Sequence, residues 1–186
     1  MSEVPNIEPE EYSVDPRQSA LEASESRLYR GVDKTGRVVA LKFYVNMPIG
    51  KILEYQKITN QLAINHNYKK EFIELEVSGQ FYKFLLYIVP IEKAGIAAEL
   101  PCTISPFIEG PTLFDLEPHY VSSRHASLPQ NPLVKLGAKL REETGTNNIS
   151  LIPWNVKPLM HRKTPVLAIT DIAGAVNGFK IAHKFV

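Results

Sequence analysis

The pattern of apolar and polar positions first organises residues 27–45, RLYRGVDKTGRVVALKFYV. They read as two strands around the turn Asp33-Lys34-Thr35-Gly36, with Gly36 free to take a positive φ. Strand periodicity puts Val38, Ala40, Lys42 and Tyr44 on one face and Val39, Leu41, Phe43 and Val45 on the other. The second face is uniformly apolar and predicts a core. In PIGKILEYQKITNQLAINH (48–66), Ile52, Tyr55, Ile58 and Leu62 recur at helical spacing and predict an amphipathic helix. EFIELEVSGQFYKFLLYIVPI gives two more strands around Ser78-Gly79, and PCTISPF gives a short strand running into the turn IEGPTL. NPLVKLGAKLREETG is helical, with Leu133, Leu136 and Leu140 on one side and Gly145 near its end. After an irregular stretch, VLAITDI is an apolar strand ending on an acid, followed by the glycine-dotted AGAVNGF.

Residues 1–20 are polar, acidic and proline-bearing, and their few apolar residues follow no period. They read as a flexible leader. The order hairpin, helix, strands, connector, helix, loop, strand, acid is mostly β first and mixed later. It predicts an α+β protein of two lobes: an N-terminal lobe over 21–104, a connector at 105–112, and a C-terminal lobe over 113–186. Clefts between lobes are preferred ligand sites.

Composition narrows the function. The 186 residues carry 21 Lys plus Arg against 20 Asp plus Glu, so no global field favours nucleic acid or an anionic membrane. The single cysteine, Cys102, excludes an intramolecular disulfide and fits a reducing compartment. The strongest apolar run, Phe84–Val89, is far too short for a membrane span, and Met1-Ser2-Glu3-Val4 lacks the basic start of a secretory signal. The reading is of a soluble protein. Oligomeric state has no signature in the chain.

Lys42 is the residue that does not belong. Lysine is depleted in strands and rarely buried without a partner. Taken alone, the stretch is equally compatible with an edge strand whose lysine reaches water and discourages aggregation. The small neighbour Ala40 would instead leave room for a flat ligand beside a fixed charge.

Val39-Ala40-Leu41-Lys42 resembles the Val-Ala-Ile-Lys strand of protein kinases, whose lysine grips the α and β phosphates of ATP. The resemblance extends along nearly the whole chain. Ser105-Pro106-Phe107-Ile108-Glu109-Gly110 is similar to the kinase hinge, which implies that the carbonyl of Pro106 and the N–H of Ile108 read the adenine. Leu28 and Ala40 fall where the family covers the base. NNISLIPWNVKPL (147–159) resembles the catalytic loop, with Asn155 at the Mg²⁺-binding asparagine, and AITDIAGA resembles the Asp-Phe-Gly segment, with Asp171 as main Mg²⁺ ligand. The family also implies an acidic partner for Lys42 on the helix; Glu54 is the candidate, and a helix-surface glutamate is the other reading of it. ATP and Mg²⁺ follow as cofactors, with Lys42, Asn155 and Asp171 catalytic.

The departures matter. Leu21, Ala23 and Ser26 occupy the places of the three phosphate-loop glycines, leaving Ser24 and Ser26 as hydroxyl donors. Ser150 stands at the catalytic aspartate and Asn148 at the preceding histidine. Serine accepts a proton poorly. Little sequence follows Asp171, which implies a strongly truncated C-terminal lobe without the usual peptide platform. In this reduced form the chain looks like the minimal-kinase type III effectors of plant-associated bacteria, which phosphorylate the host ninety-kilodalton heat-shock chaperone. That resemblance implies a secreted serine/threonine kinase acting on a protein substrate in the host cytoplasm. A pseudokinase that holds nucleotide without transfer is the alternative, and a small-molecule kinase a weaker third.

Overall fold

The computed structural model describes residues 4–14, 21–23, 26–67, 69, 71–121, 131–147 and 149–172. The chain mixes α and β, with two sheets and few helices. It divides into two compact units, one made of 1–61 and 90–107, the other of 62–89 and 108–186. Among the described residues no helix is long and apolar enough to cross a membrane.

The first unit is built on β1 (Tyr12–Val14), β3 (Ser26–Asp33), β4 (Val38–Tyr44), β8 (Leu100–Pro106) and β7 (Lys93–Ala97), hydrogen-bonded in that order, with β2 (Leu21–Ala23) also on β3. The β3–β4 hairpin forms where expected. Asp33 holds its turn, its carboxylate accepting bonds from the Thr35 hydroxyl, the Thr35 N–H and the Arg37 N–H. Val39, Leu41, Cys102 and Ile104 point into one core with Ile7, Tyr12 and Ala97. Tyr44, on the opposite face, is buried in a second core with Ile52, Ile91 and Ala94, so this sheet is covered on both sides. Val45, expected on the core face, is exposed.

Residues 4–14 correct the expectation of a flexible leader. Asn6 bridges Ile96 on β7, the Ile7 N–H donates to the Ile96 carbonyl at 2.8 Å, and the Ile96 N–H donates to Pro5 at 3.0 Å. A 3₁₀ turn at Pro9–Glu11 then delivers β1 to β3, with Tyr12 opposite Asp33. One short segment therefore occupies the free edges at both ends of the sheet, a protected arrangement. Ile7 and Tyr12 retain only 3% and 8% of their exposure. Their contribution was invisible as periodicity because β1 is only three residues long.

Helix α1 (Ile49–His66) belongs to the first unit as far as Gln61. Its buried positions are Ile52, Thr59, Leu62, Ala63 and His66, while Tyr55 and Ile58 are half-buried. Two asparagines act as surrogate strand partners. Asn60 both donates to and accepts from the backbone of Ile91, each at 2.8 Å, and Asn67, in the second unit, does the same for Ile88 at 2.7 Å.

The second unit is a four-stranded sheet in the order β5 (Phe72–Val77), β6 (Gln80–Ile88), β10 (Thr164–Ile169), β9 (Val156–His161). Only β6 and β10 are parallel. Its buried face carries Leu75, Val77, Phe84, Leu86, Ile88, Leu167, Ile169 and Val156. This pairing corrects the expected boundary: 62–89, assigned from sequence to the N-terminal lobe, joins the second unit because β6 ladders onto β10. The short helix α2 (Leu113–Leu116) is fixed by a capping box between Thr112 and Asp115. Helix α3 (Pro132–Thr144) starts on an Asn131 cap, buries Leu133, Leu136 and Leu140, and ends at Gly145 with φ 65°.

Candidate functional site

In the first unit, β4 presents Lys42 directly between Leu28 on β3 and Thr103 on β8, and Ala40 between Arg30 and Ser105. Leu28, Ala40 and Lys42 thus share one face, as the sequence periodicity requires, and all three are half-buried. The Lys42 ammonium lies over the Tyr44 ring, 5.2 Å from its centroid. Such a contact contributes about 0.5–1 kcal/mol when exposed and more when desolvated. Because Tyr44 is itself locked in the core with Ile52, the ring is a fixed rest for a flexible side chain. Pro106 ends β8 opposite Val39, and the Phe107 N–H donates to the Val38 carbonyl at 3.4 Å. The chain passes from the first unit to the second between Phe107 and Ile108, inside the stretch expected as a connector.

Glu54 is exposed on α1. The reason is helical phase. The buried positions Ile52 and Thr59 set the inward face, and Glu54 lies about 200° around the helix from Ile52, on the outer side.

The second unit gathers the other candidates at one end of β9 and β10. Asn155 closes a 3₁₀ turn (Pro153–Asn155), its N–H donating to Ile152 at 2.9 Å. Its carbonyl accepts two bonds from Thr170, from the N–H at 2.8 Å and from the hydroxyl at 3.1 Å. Thr170 is the residue before Asp171, so this pair of bonds ties the backbone of Asn155 to the segment that carries the acid. The loop leading in is tied to the strand leading out a second time, where the Ser150 N–H donates to the Ile172 carbonyl at 3.0 Å. Arg141 on α3 steadies the same loop, its guanidinium donating to the Ile149 carbonyl at 2.8 Å. Sequence analysis passed over Thr170 and Arg141, since both act through backbone carbonyls that no residue pattern encodes.

Lys157 was also missed. It is half-buried on β9, and its Nζ donates to the carbonyl of Ile108 at 2.7 Å. Burial lowers its pKa, partly offset by the nearby carboxylates of Asp115 and Glu109. Beyond it, Phe114 on α2 stacks on Trp154 with ring centroids 4.8 Å apart.

Among the described residues no group of three or more His, Cys, Asp or Glu gathers to hold a metal. The two candidates read from the sequence, Asn155 and Asp171, carry an amide oxygen and a carboxylate. Two hard oxygen donors fit Mg²⁺, which usually takes one or two carboxylates and completes its shell with water and phosphate oxygens. Ser24, Asn148 and 173–179, singled out in the sequence, lie outside the described residues.

No protein-family model matches the chain. No curated protein aligns with it. Among solved structures, it is similar to a crystal structure of Rad53 1–466 in complex with AMP-PNP, with 14% identity, coverage of 87% of this chain and a TM-score of 0.46. The match spans 38% of that chain's length.

Proposed function

We propose that this protein is an ATP-dependent serine/threonine protein kinase of reduced size, with Asn155 and Asp171 holding the Mg²⁺ of the nucleotide. The observation that supports the reading is the double hydrogen bond from Thr170 to the Asn155 carbonyl, which ties the backbone of Asn155 to the residue before Asp171 at the end of β9 and β10. Phosphoryl transfer asks little covalent chemistry of a protein and much positioning and charge. Held by Asn155 and Asp171, Mg²⁺ would supply charge neutralisation to the transferred phosphoryl group. The kinase resemblance assigns Lys42 to the phosphates and Leu28 and Ala40 to the base. The same resemblance assigns the Pro106 carbonyl and the Ile108 N–H to the edge of the base. Glu54 has no part in this account as the partner of Lys42.

By the motif resemblance, Ser150 takes the place of the residue that orients the nucleophile. A serine hydroxyl is a weak base, but in a loose transition state the base has little proton to remove until late, so transfer is slow rather than abolished. The same residue favours a second reading, a pseudokinase that holds nucleotide without transfer. The family resemblance further implies a bacterial effector whose acceptor is the host ninety-kilodalton heat-shock chaperone. Incubation with γ-labelled ATP and Mg²⁺, with and without that chaperone, tests the proposal. Label on acceptor serine or threonine, absent with Asp171→Ala, supports it. Tight nucleotide binding with no label on any protein supports the second reading.

A further inference from the structure

Residues 108–112 carry neither helix nor strand, yet the second unit holds them at three points. The Ile108 carbonyl accepts from the Lys157 ammonium at 2.7 Å. Gly110 takes a φ of 111°, and a β-carbon there would come within 2.9 Å of the Leu159 side chain. Thr112 donates twice to the Asp115 carboxylate, from its N–H and from its hydroxyl, each at 2.8 Å. Lys157 and Leu159 lie two residues apart on β9, so they share one face of the sheet, and 108–110 runs against that face. Connecting segments are more often loosely held.

Lys157 is a costly means to this end. It is half-buried, and desolvation disfavours its charged form, which the carboxylates of Asp115 and Glu109 offset only in part. An apolar side chain would fill the same space without that cost, so packing alone does not call for an ammonium. What the ammonium adds is a directed, charge-assisted hydrogen bond to one carbonyl, and with it a fixed place for the backbone of Ile108.

We propose that Lys157 is a positioning residue for the nucleotide base, holding the backbone of Ile108 so that its N–H serves as a fixed donor. This rests on the kinase reading, which assigns that N–H to the edge of the base. Lys157 acts through Ile108 and not on the reacting atoms. A donor fixed in advance meets the base without the cost of ordering a loop on binding.

Amide hydrogen exchange of the full chain, followed by NMR with and without saturating Mg·ATP, tests the assignment. In the wild type, Mg·ATP is expected to slow exchange at Ile108 and at 170–172. Lys157→Met keeps the length of the side chain and removes the ammonium. With that variant saturated, exchange at 170–172 should still slow, but the protection of Ile108 should be lost. Its affinity for Mg·ATP is expected to fall about 2- to 30-fold, the range for residues that act on a site through another. Lys157→Gln, which keeps a shorter, uncharged donor, should lie between it and the wild type. Equal protection of Ile108 in both variants, or protection lost at 170–172 as well, overturns the assignment. So does a lowered melting temperature without ligand when affinity for Mg·ATP is unchanged, since Lys157 would then be structural only. The two readings fail separately. Mg·ATP that slows exchange nowhere in the wild type contradicts the kinase reading, whereas protection at 170–172 with none at Ile108 contradicts only the role of Lys157.

Discussion

The carbonyl of Asn155 accepts both hydrogen bonds that Thr170 can donate to it, from the backbone N–H at 2.8 Å and from Oγ1 at 3.1 Å. Two segments separated by a whole β-hairpin are thereby locked side by side, and the proposed metal ligands Asn155 and Asp171 with them. Thr170→Val keeps the shape and the backbone bond but deletes the hydroxyl. The expected loss of stability is about 0.5–1.5 kcal/mol, the usual net value of one hydrogen bond. Chemical denaturation measures it. Mg·ATP should also stabilise this variant less than the wild type, because the pair of ligands is less well held.

The N-terminal segment is expected to be part of the fold. Ile7→Ala removes a side chain that is 3% exposed, and the expected cost is about 2–5 kcal/mol. Gly95→Ala tests the same contact from the other side, since a β-carbon there would run into the Pro5 carbonyl. Both variants should lower the denaturation midpoint. A midpoint unchanged in both would mean that residues 4–14 do not pack as described.

Cys102 gives an independent readout of that core. It is fully buried beside Ile7 and Tyr12, and burial pushes its thiol up to about 12. The native protein should therefore leave an aromatic disulfide reagent unreacted at neutral pH, with stoichiometric reaction on unfolding. Gly95→Ala should speed the reaction. Rapid modification of the folded wild type would contradict the closed core.

Acid stability should reflect the cluster around His66, a ring buried to 1% whose nitrogens contact Glu71 and Glu143, each at 2.8 Å. Burial raises the Glu71 pKa, but bonds from Lys139 and His66 outweigh it, and the net value lies below the ordinary 4.5. Glu143 behaves alike: burial raises it, and bonds from Asn65 and His66, with the charge of Lys69, bring it below 4.5. A carboxyl with a lowered folded pKa binds fewer protons folded than unfolded. Its contribution is therefore full above the ordinary value and lost as pH falls through the lowered one. The melting temperature should drop on acidification below about 4.5, and Glu71→Gln should flatten that drop.

Ser150→Ala should slow any phosphoryl transfer about tenfold or less, below the usual 10²–10⁴ of a positioned acid–base group. Asp171→Ala should abolish transfer. Equal losses in the two variants, measured as initial rates with labelled ATP, would make Ser150 a catalytic residue in its own right.

Much of the local architecture was legible because local chemistry sets it. The β3–β4 hairpin follows from strand alternation around Asp33–Gly36, and α3 from Asn131, three leucines and Gly145. β9 was read as irregular, yet it is an edge strand, where the missing N–H of Pro158 is tolerated. β1 and β7 span three and five residues, too short for a period to stand out. The parallel pairing of β6 with β10 and the clamps of Asn60 and Asn67 join residues distant in sequence, and no local pattern carries them. Asn155 and Asp171 came from a motif resemblance; the bonds from Thr170 to the Asn155 carbonyl did not. Glu54 was taken from the family's need for an acid, while the burial of Ile52 and Thr59 decides which face of α1 turns inward.

The central claim is that Asn155 and Asp171 form a magnesium–nucleotide site, and thermal unfolding with ligand tests it most directly. Ligand that binds only the folded state raises the melting temperature by mass action. The account predicts a rise with ATP plus Mg²⁺, a much smaller one with ATP and chelator, and loss of the magnesium-dependent part in Asp171→Ala. No shift at millimolar Mg·ATP, or a shift indifferent to both magnesium and Asp171, would contradict it.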